Sequence, residues 1–270
     1  MHRILKCPIC GGDLTREDGR LFCPSGHSFD LAKEGYVNLL GGSASSHGDN
    51  KEMVKARRDF LEDGYYAPLA EAVARLAAEG LPRGGALLDA GSGEGYYTER
   101  LSRAVAAKGG RVYAFDVSKE AARLCAKRRV CHTFVASCYA IPVKDGAVNG
   151  ITCLFAPLAT EEFHRVLSPG GRLTVAVPAE EHLWEMKRVL YDTPYPNPTN
   201  DGNLPGFRLV KKESVKTEVS LPTQESIASL FAMTPYFYRT PRAGRERLLA
   251  LSSLKVQASF HILTYEKVSM

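Results

Sequence analysis

The chain has 270 residues, 44% hydrophobic and 24% charged, with 35 Lys+Arg against 30 Asp+Glu for a formal net charge of +5. This is ordinary globular composition, long enough for one main domain and a small appended module, and it excludes collagen, disordered and acidic-tail classes. The basic excess is mild; it fits a nucleic-acid partner without demonstrating one. No run of about 18 apolar residues is present to span a bilayer, and the first residues lack the apolar stretch of a signal peptide. A cytoplasmic chain without a membrane partner is expected, and in that reducing setting the seven cysteines should be metal ligands or packing residues.

Cys7-Pro8-Ile9-Cys10 is followed by Cys23-Pro24-Ser25-Gly26-His27, a C-x2-C-x12-C-x3-H pattern. Three thiols and one imidazole suit tetrahedral zinc, and Gly11 and Gly12 supply the tight turn after the first pair. Cys7, Cys10, Cys23 and His27 fill all four positions, so the metal is expected to be structural and to fold a module of residues 1–40 that is too small to bury a core alone. Residues 41–64 read as a linker and a helix. Gly41 to Asn50 is a flexible linker or active-site loop. Residues 51–62 are helical, with Met53, Val54, Phe60 and Leu61 on an apolar side and Lys51, Lys55, Arg57 and Arg58 elsewhere.

Residues 65–270 form the third expected unit. From residue 86 strands and helices alternate: ALLDA, a helix to about 107, RVYAF, a helix to about 128, HTFVA, then GITCLF and RLTVAV. Alternation of this kind predicts an α/β fold with a mostly parallel sheet covered by helices on both faces. Asp89-Ala90-Gly91-Ser92-Gly93-Glu94-Gly95 leaves the first strand and enters a helix, so its glycines let backbone approach a ligand. Three features favour S-adenosylmethionine over a dinucleotide. Tyr96 stands where a dinucleotide fingerprint places its third glycine. Asp89 before the loop suits the cofactor's methionyl end and would repel a pyrophosphate, while Asp116 ends the second strand where a carboxylate accepts ribose hydroxyls. Arg165-Val166-Leu167-Ser168-Pro169-Gly170-Gly171-Arg172 is a helix end, turn and strand start common before the fifth strand of class I methyltransferases. Ser137 and Cys138, just beyond the third strand, are placed to meet the adenine.

Joined to the zinc pattern, these motifs resemble the RlmA family of 23S ribosomal RNA (guanine-N1)-methyltransferases over essentially the full length. FDLAKEGYVNLL with KARRDFL carries the specific part of the resemblance, together with LLDAGSGEGYYT, FDVSK, RVLSPGGRL, HLWEMK and MTP at 233–235. The resemblance implies a Rossmann-like sheet of seven strands behind a zinc-ribbon-like module. It also implies recognition of a 23S rRNA hairpin by that module, transfer of a methyl group to guanine N1, and cofactor contacts at Tyr66, Gly93, Glu94 and His182. A two-fold homodimer offering two zinc modules to one RNA is plausible. A small-molecule methyltransferase with a structural zinc, or a binding protein without turnover, are the competing readings.

Guanine N1 carries a proton that must leave before or during transfer. The base must also be extruded into a pocket. Phe155-Ala156-Pro157 and Glu180 to Glu185 are the candidate pocket segments; Phe155 could stack on guanine or pack in the core. No catalytic residue is assigned, because Glu181, His182 and Glu185 have structural readings as good as a base role, and positioning can supply most of the rate. Cys125, Cys131 and Cys153 read as buried thiols. Asp192 to Arg208 is a substrate-covering loop, and a helix near 224–231 with a final antiparallel strand pair closes the fold. Met233 to Tyr236 either borders the pocket or packs.

Overall fold

The computed structural model describes residues 2–41, 51–198 and 202–269. All of the expected Gly41–Asn50 linker except Gly41, and residues 199–201 of the expected covering loop, lie outside the described residues.

The N-terminal module is a small antiparallel sheet of β1 (Thr15–Glu17), β2 (Arg20–Phe22) and β3 (Ser28–Asp30) in the order β1-β2-β3. It is followed by β4 (Val37–Asn38), then α1 (Lys51–Glu62) and α2 (Ala67–Glu79). The main repeat runs β5 (Ala86–Ala90), α3 (Tyr96–Ala106), β6 (Arg111–Asp116), α4 (Lys119–Lys127), β7 (His132–Val135), β8 (Val148–Leu154), α5 (Thr160–Val166), β9 (Leu167–Pro178). Then come α6 (Trp184–Leu190), β10 (Phe207–Leu221), α7 (Gln224–Ala232), α8 (Tyr236–Arg239), α9 (Arg242–Leu249) and β11 (Leu254–Lys267).

The main sheet has the order β10-β11-β9-β8-β5-β6-β7-β4. Strands β4 to β9 are parallel; β11 alone is reversed, pairing antiparallel with β9 on one side and with β10 on the other, so β10 runs in the same direction as the rest. Seven of these strands are the expected ones. The eighth, β4, comes from within the expected zinc module and pairs with β7 through Val37↔Phe134 and Asn38↔Val135.

Both faces are covered. On one, α2 and α3 bury Leu69, Val73, Leu101 and Val105 against Ala176, Phe260 and Ile262. On the other, Phe163 and Val166 of α5 share a core with Leu5, Leu14 and Leu21 of the zinc module and with Leu88, Phe134, Val175 and Leu263 of the sheet. The module is thus part of the domain's core; each of those three leucines is 3% exposed or less, and burial of such a side chain stabilises by about 1.5–3 kcal/mol. Local signals set the element ends. Ser118 accepts the Ala121 N–H at the start of α4, and Thr223 with Ser226 forms a capping box at α7. The turn expected ahead of the fifth strand lies inside β9, as a looped-out register shift opposite Val148/Gly150 with Gly170 at φ +69°.

Candidate cofactor and metal sites

Two backbone turns build the metal site. The Cys7 N–H donates to Gly12 O and the Gly11 N–H to Cys7 O, while Cys23 N–H donates to His27 O and Gly26 N–H to Cys23 O. Gly11 and Gly26 sit at φ +74° and +84°, the left-handed conformation that a side chain would strain. The turns bring the ligand atoms of Cys7, Cys10, Cys23 and His27 within 4.8 Å of one another. Cys7 Sγ and Cys23 Sγ are 3.6 and 3.3 Å from His27 Nδ1, and Cys10 Sγ is 3.6 Å from Cys23 Sγ. Tetrahedral zinc with bonds of about 2.3 Å to sulfur and 2.0–2.1 Å to nitrogen has ligand-to-ligand edges of roughly 3.5–3.8 Å, so the donor set fits zinc.

The glycine loop lies between β5 and α3, at the C-terminal edge of the sheet where ligands bind in open α/β folds. Gly91 N–H and Ser92 N–H both donate to Phe115 O at the end of β6. Asp116 fixes the loop further, its Oδ2 accepting Gly93 N–H at 2.9 Å and its Oδ1 accepting Ser118 N–H at 2.8 Å. The three glycines prove to be unequal. A Cβ on Gly91 would meet Ala156 Cβ at 2.4 Å, and one on Gly95 would press on Arg128 and the Cys125 thiol at 3.0 Å. Only Gly93, at φ +55°, borders open space. Gly91 and Gly95 therefore serve internal packing, and Gly93 is the point at which a ligand can approach the chain.

Asp89 does not face the open side. It is 2% exposed, and its Oδ2 and Oδ1 accept the hydroxyls of Thr98 at 2.6 Å and Thr152 at 2.8 Å. Burial pushes its pKa up to about 6. Its role in the structure is to tie β5 to α3 and β8 beneath the loop. Glu94 is also buried, and burial raises its pKa even though Arg128 opposes the shift. Arg128 is the residue that motif reading missed. Its Nη2 contacts Glu94 at 2.8 Å and also reaches Glu62 of α1, Nη1 contacts Glu99 of α3 at 2.8 Å, and Nε donates to Glu94 O. No sequence pattern marks it, because its three carboxylates lie 29 to 66 positions away.

Tyr66 and His182, far apart in sequence, meet through Phe260 of β11. The Tyr66 and Phe260 ring centroids are 5.0 Å apart, and those of His182 and Phe260 are 4.6 Å apart. Tyr66 is buried, which raises its phenol pKa, and it packs edge-on to Phe60 as well. His182 Nδ1 lies 3.2 Å from Ser259 N and 3.0 Å from Ser259 O, and burial pushes its pKa down to about 4, so the ring is neutral at pH 7. Phe155 joins the same cluster, 5.6 Å from Phe260. It holds φ +57° while its side chain stays 49% exposed, a strained backbone under an open aromatic ring. Ser137 accepts Tyr139 N–H through Oγ, and burial raises the Cys138 thiol to about 11. Cys138 thus packs in the core beside the expected adenine position. Cys125 and Cys153 are buried and Cys131 is half-buried.

Beyond β9, Glu185 accepts Gln257 N–H at 2.9 Å, a structural bond to β11. Lys187 of α6 is 0% exposed and has no carboxylate partner among the described residues. Its ammonium donates to Tyr195 O and Asn197 Oδ1, both at 2.8 Å, and lies over the rings of Tyr195 and Tyr236. Asn197 in turn donates through its backbone N–H to Glu180 O and through Nδ2 to Ala179 O. The first part of the expected covering loop is thereby clamped to the turn that carries His182. Tyr236 packs here too, its hydroxyl donating to Asn197 Oδ1. On α1, Lys55 and Arg58 share one carboxylate, Asp59, which offsets one of their two positive charges.

Comparison with known proteins agrees with this layout. Residues 5–42 match the family model described as RlmA, N-terminal, and residues 87–171 match a methyltransferase domain. The 23S rRNA (guanine(748)-N(1))-methyltransferase of Streptomyces fradiae is 34% identical over 247 residues, covering 86% of this chain and 85% of that protein. Proteins of Micromonospora griseorubida and Bacillus subtilis that carry the 23S rRNA (guanine-N1)-methyltransferase name provisionally are 39% and 30% identical. They cover 67% and 96% of this chain, and 68% and 96% of their own lengths.

Proposed function

The chain belongs to the 23S rRNA (guanine-N1)-methyltransferase family with an RlmA-type zinc ribbon, and on that premise we propose that it methylates N1 of a guanine in a hairpin of 23S rRNA. The supporting observation is the joining of the two sites in one core: a zinc-competent Cys3His module built onto the sheet whose C-terminal edge carries the open Gly93 loop. The hairpin is taken to meet the zinc module, with two copies of the chain about a two-fold axis presenting two modules to one RNA.

S-adenosylmethionine, when bound, supplies an electrophilic methyl group. The residues proposed to hold it are Gly93 by backbone approach, Asp116 by a carboxylate already oriented by two backbone donors, and Tyr66 and His182 from the aromatic cluster on Phe260. Gly91, Gly95, Asp89 and Glu94 shape the loop from behind. Ser137 and Cys138 would lie beside the cofactor's adenine. A neutral His182 adds no positive charge that would repel a sulfonium. For the substrate, Phe155 offers an exposed ring for an extruded base to stack on, and backbone strain at such a residue is a mark of functional sites. With nucleophile and methyl held in line, positioning supplies much of the acceleration.

The test is nucleoside analysis of a 23S rRNA transcript incubated with the zinc-loaded protein and S-adenosylmethionine. 1-Methylguanosine is expected, and it should fall sharply for Phe155→Ala while cofactor affinity holds. Cofactor binding with no methylated nucleoside in any RNA would move the reading to a small-molecule methyltransferase. The name of the Streptomyces fradiae relative makes guanine 748 the first position to inspect.

A further inference from the structure

At the edge of the sheet opposite the glycine loop, where β6 and β7 begin, lies a hollow lined by Ser102, Gly110, Arg111, Arg129 and His132. Arg111 and Arg129 are exposed, and neither has a carboxylate partner among the described residues. Arg129, just past the Arg128 cap of α4, holds φ +58°, a conformation in which glycine is the strain-free occupant, yet a guanidinium is carried there. The hydroxyl of Ser102 on the same wall is buried without a hydrogen-bond partner.

The zinc module adds to this edge. Arg16 lies on β1 opposite Leu21, on the ribbon face turned toward the core, and it is exposed beside that buried leucine. Burial is the main cause that lowers the His132 pKa to about 4, with the positive charges of the N-terminal amine, Arg111 and Arg16 adding to it, so the imidazole is neutral and feels arginines from both modules. Tyr113, which pairs with His132, feels Arg111 and Arg3. No acidic residue figures among the groups acting on either ring.

We propose that Arg3, Arg16, Arg111 and Arg129 form a docking seam for the sugar-phosphate backbone of the substrate RNA, bridging the zinc module and the methyltransferase core. Guanidinium groups match phosphate oxygens bidentately. A small anion would engage one or two of them, whereas a set spread across two modules fits an extended polyanion. Contacts of this kind fix position without reading sequence, so the seam orients the hairpin while the opposite edge of the sheet performs the chemistry. This inference rests on the RNA reading above.

Charge reversal confined to the core, Arg111→Glu with Arg129→Glu, tests it in the full zinc-loaded chain with a 23S rRNA hairpin transcript. Dissociation constants should rise roughly tenfold at 0.1 M salt and the log–log salt slope should become shallower by about one to two. S-adenosylmethionine affinity should be unchanged, which also shows that the variant is folded. Arg242→Glu on α9, a fully solvated arginine, should bind RNA as the parent does. The milder Arg111→Gln with Arg129→Gln should shift both readings in the same direction. Unchanged affinity and slope in both double variants, with methyl transfer by the parent intact, would overturn the seam alone. A parent chain that neither binds nor methylates any 23S transcript would remove the RNA reading and the seam with it.

Discussion

Asp89 shows how a residue chosen from a motif changes role once its neighbours are known. Its position before the glycine loop was legible, but its hydrogen bonds to Thr98 and Thr152, 9 and 63 positions away, were not. Its raised folded pKa favours the protonated form, so the stability it contributes is present below about pH 4 and is lost as pH rises toward 6. The unfolding free energy of the parent minus that of Asp89→Asn should therefore fall by about 2–3 kcal/mol between pH 4 and pH 7, measured by denaturant titration. A difference that is flat or rises with pH would contradict the assignment. Arg128 makes the complementary case. Arg128→Met leaves the buried Glu94 carboxylate unpaired and should cost about 2–4 kcal/mol of stability and weaken S-adenosylmethionine binding roughly tenfold by calorimetry. Adding Glu94→Gln should recover much of the stability.

Elements were easier to read than contacts. The helix over 51–62, the alternating strands and helices from 86, the helix near 224–231 and the last strand pair are all present, because apolar periodicity and glycine punctuation act locally. Helix α9 was missed: Arg242-Ala-Gly-Arg-Glu-Arg carries no apolar stripe until Leu248, and it is seated by Gly244, where a Cβ would meet Leu190 O at 2.1 Å. Strand β4 was missed because two residues carry no period. The segment after α6 was legible as a long Pro- and Asn-rich connection, but not its fastening. Lys187→Met should free Tyr195 O and reduce the bonding of Asn197, costing about 1–3 kcal/mol. Because the clamp holds the turn bearing His182, methyl transfer should fall as well. Full activity in this variant would show that the clamp is not part of the site.

At the scale of the whole molecule, the expected boundary at residue 40 is crossed by the core. Leu5, Leu14 and Leu21 lie in one apolar cluster with the sheet, and β4 is paired to β7. Zinc removal by a chelator, or Cys7→Ser, should then lower the melting temperature of the entire chain in a single transition, and calorimetry should detect no separate module event. A methyltransferase core that melts unchanged without zinc would contradict that coupling. Among the described residues no helix is long and apolar enough to cross a membrane. The central claim is that this joined assembly methylates one guanine of 23S rRNA at N1. It is tested most directly by primer extension on a 23S rRNA transcript after incubation with S-adenosylmethionine, since an N1 methyl group blocks Watson–Crick pairing and halts the polymerase. The account predicts a single cofactor-dependent stop one nucleotide before a hairpin guanine. An unaltered extension pattern, with zinc and cofactor both bound, would contradict it.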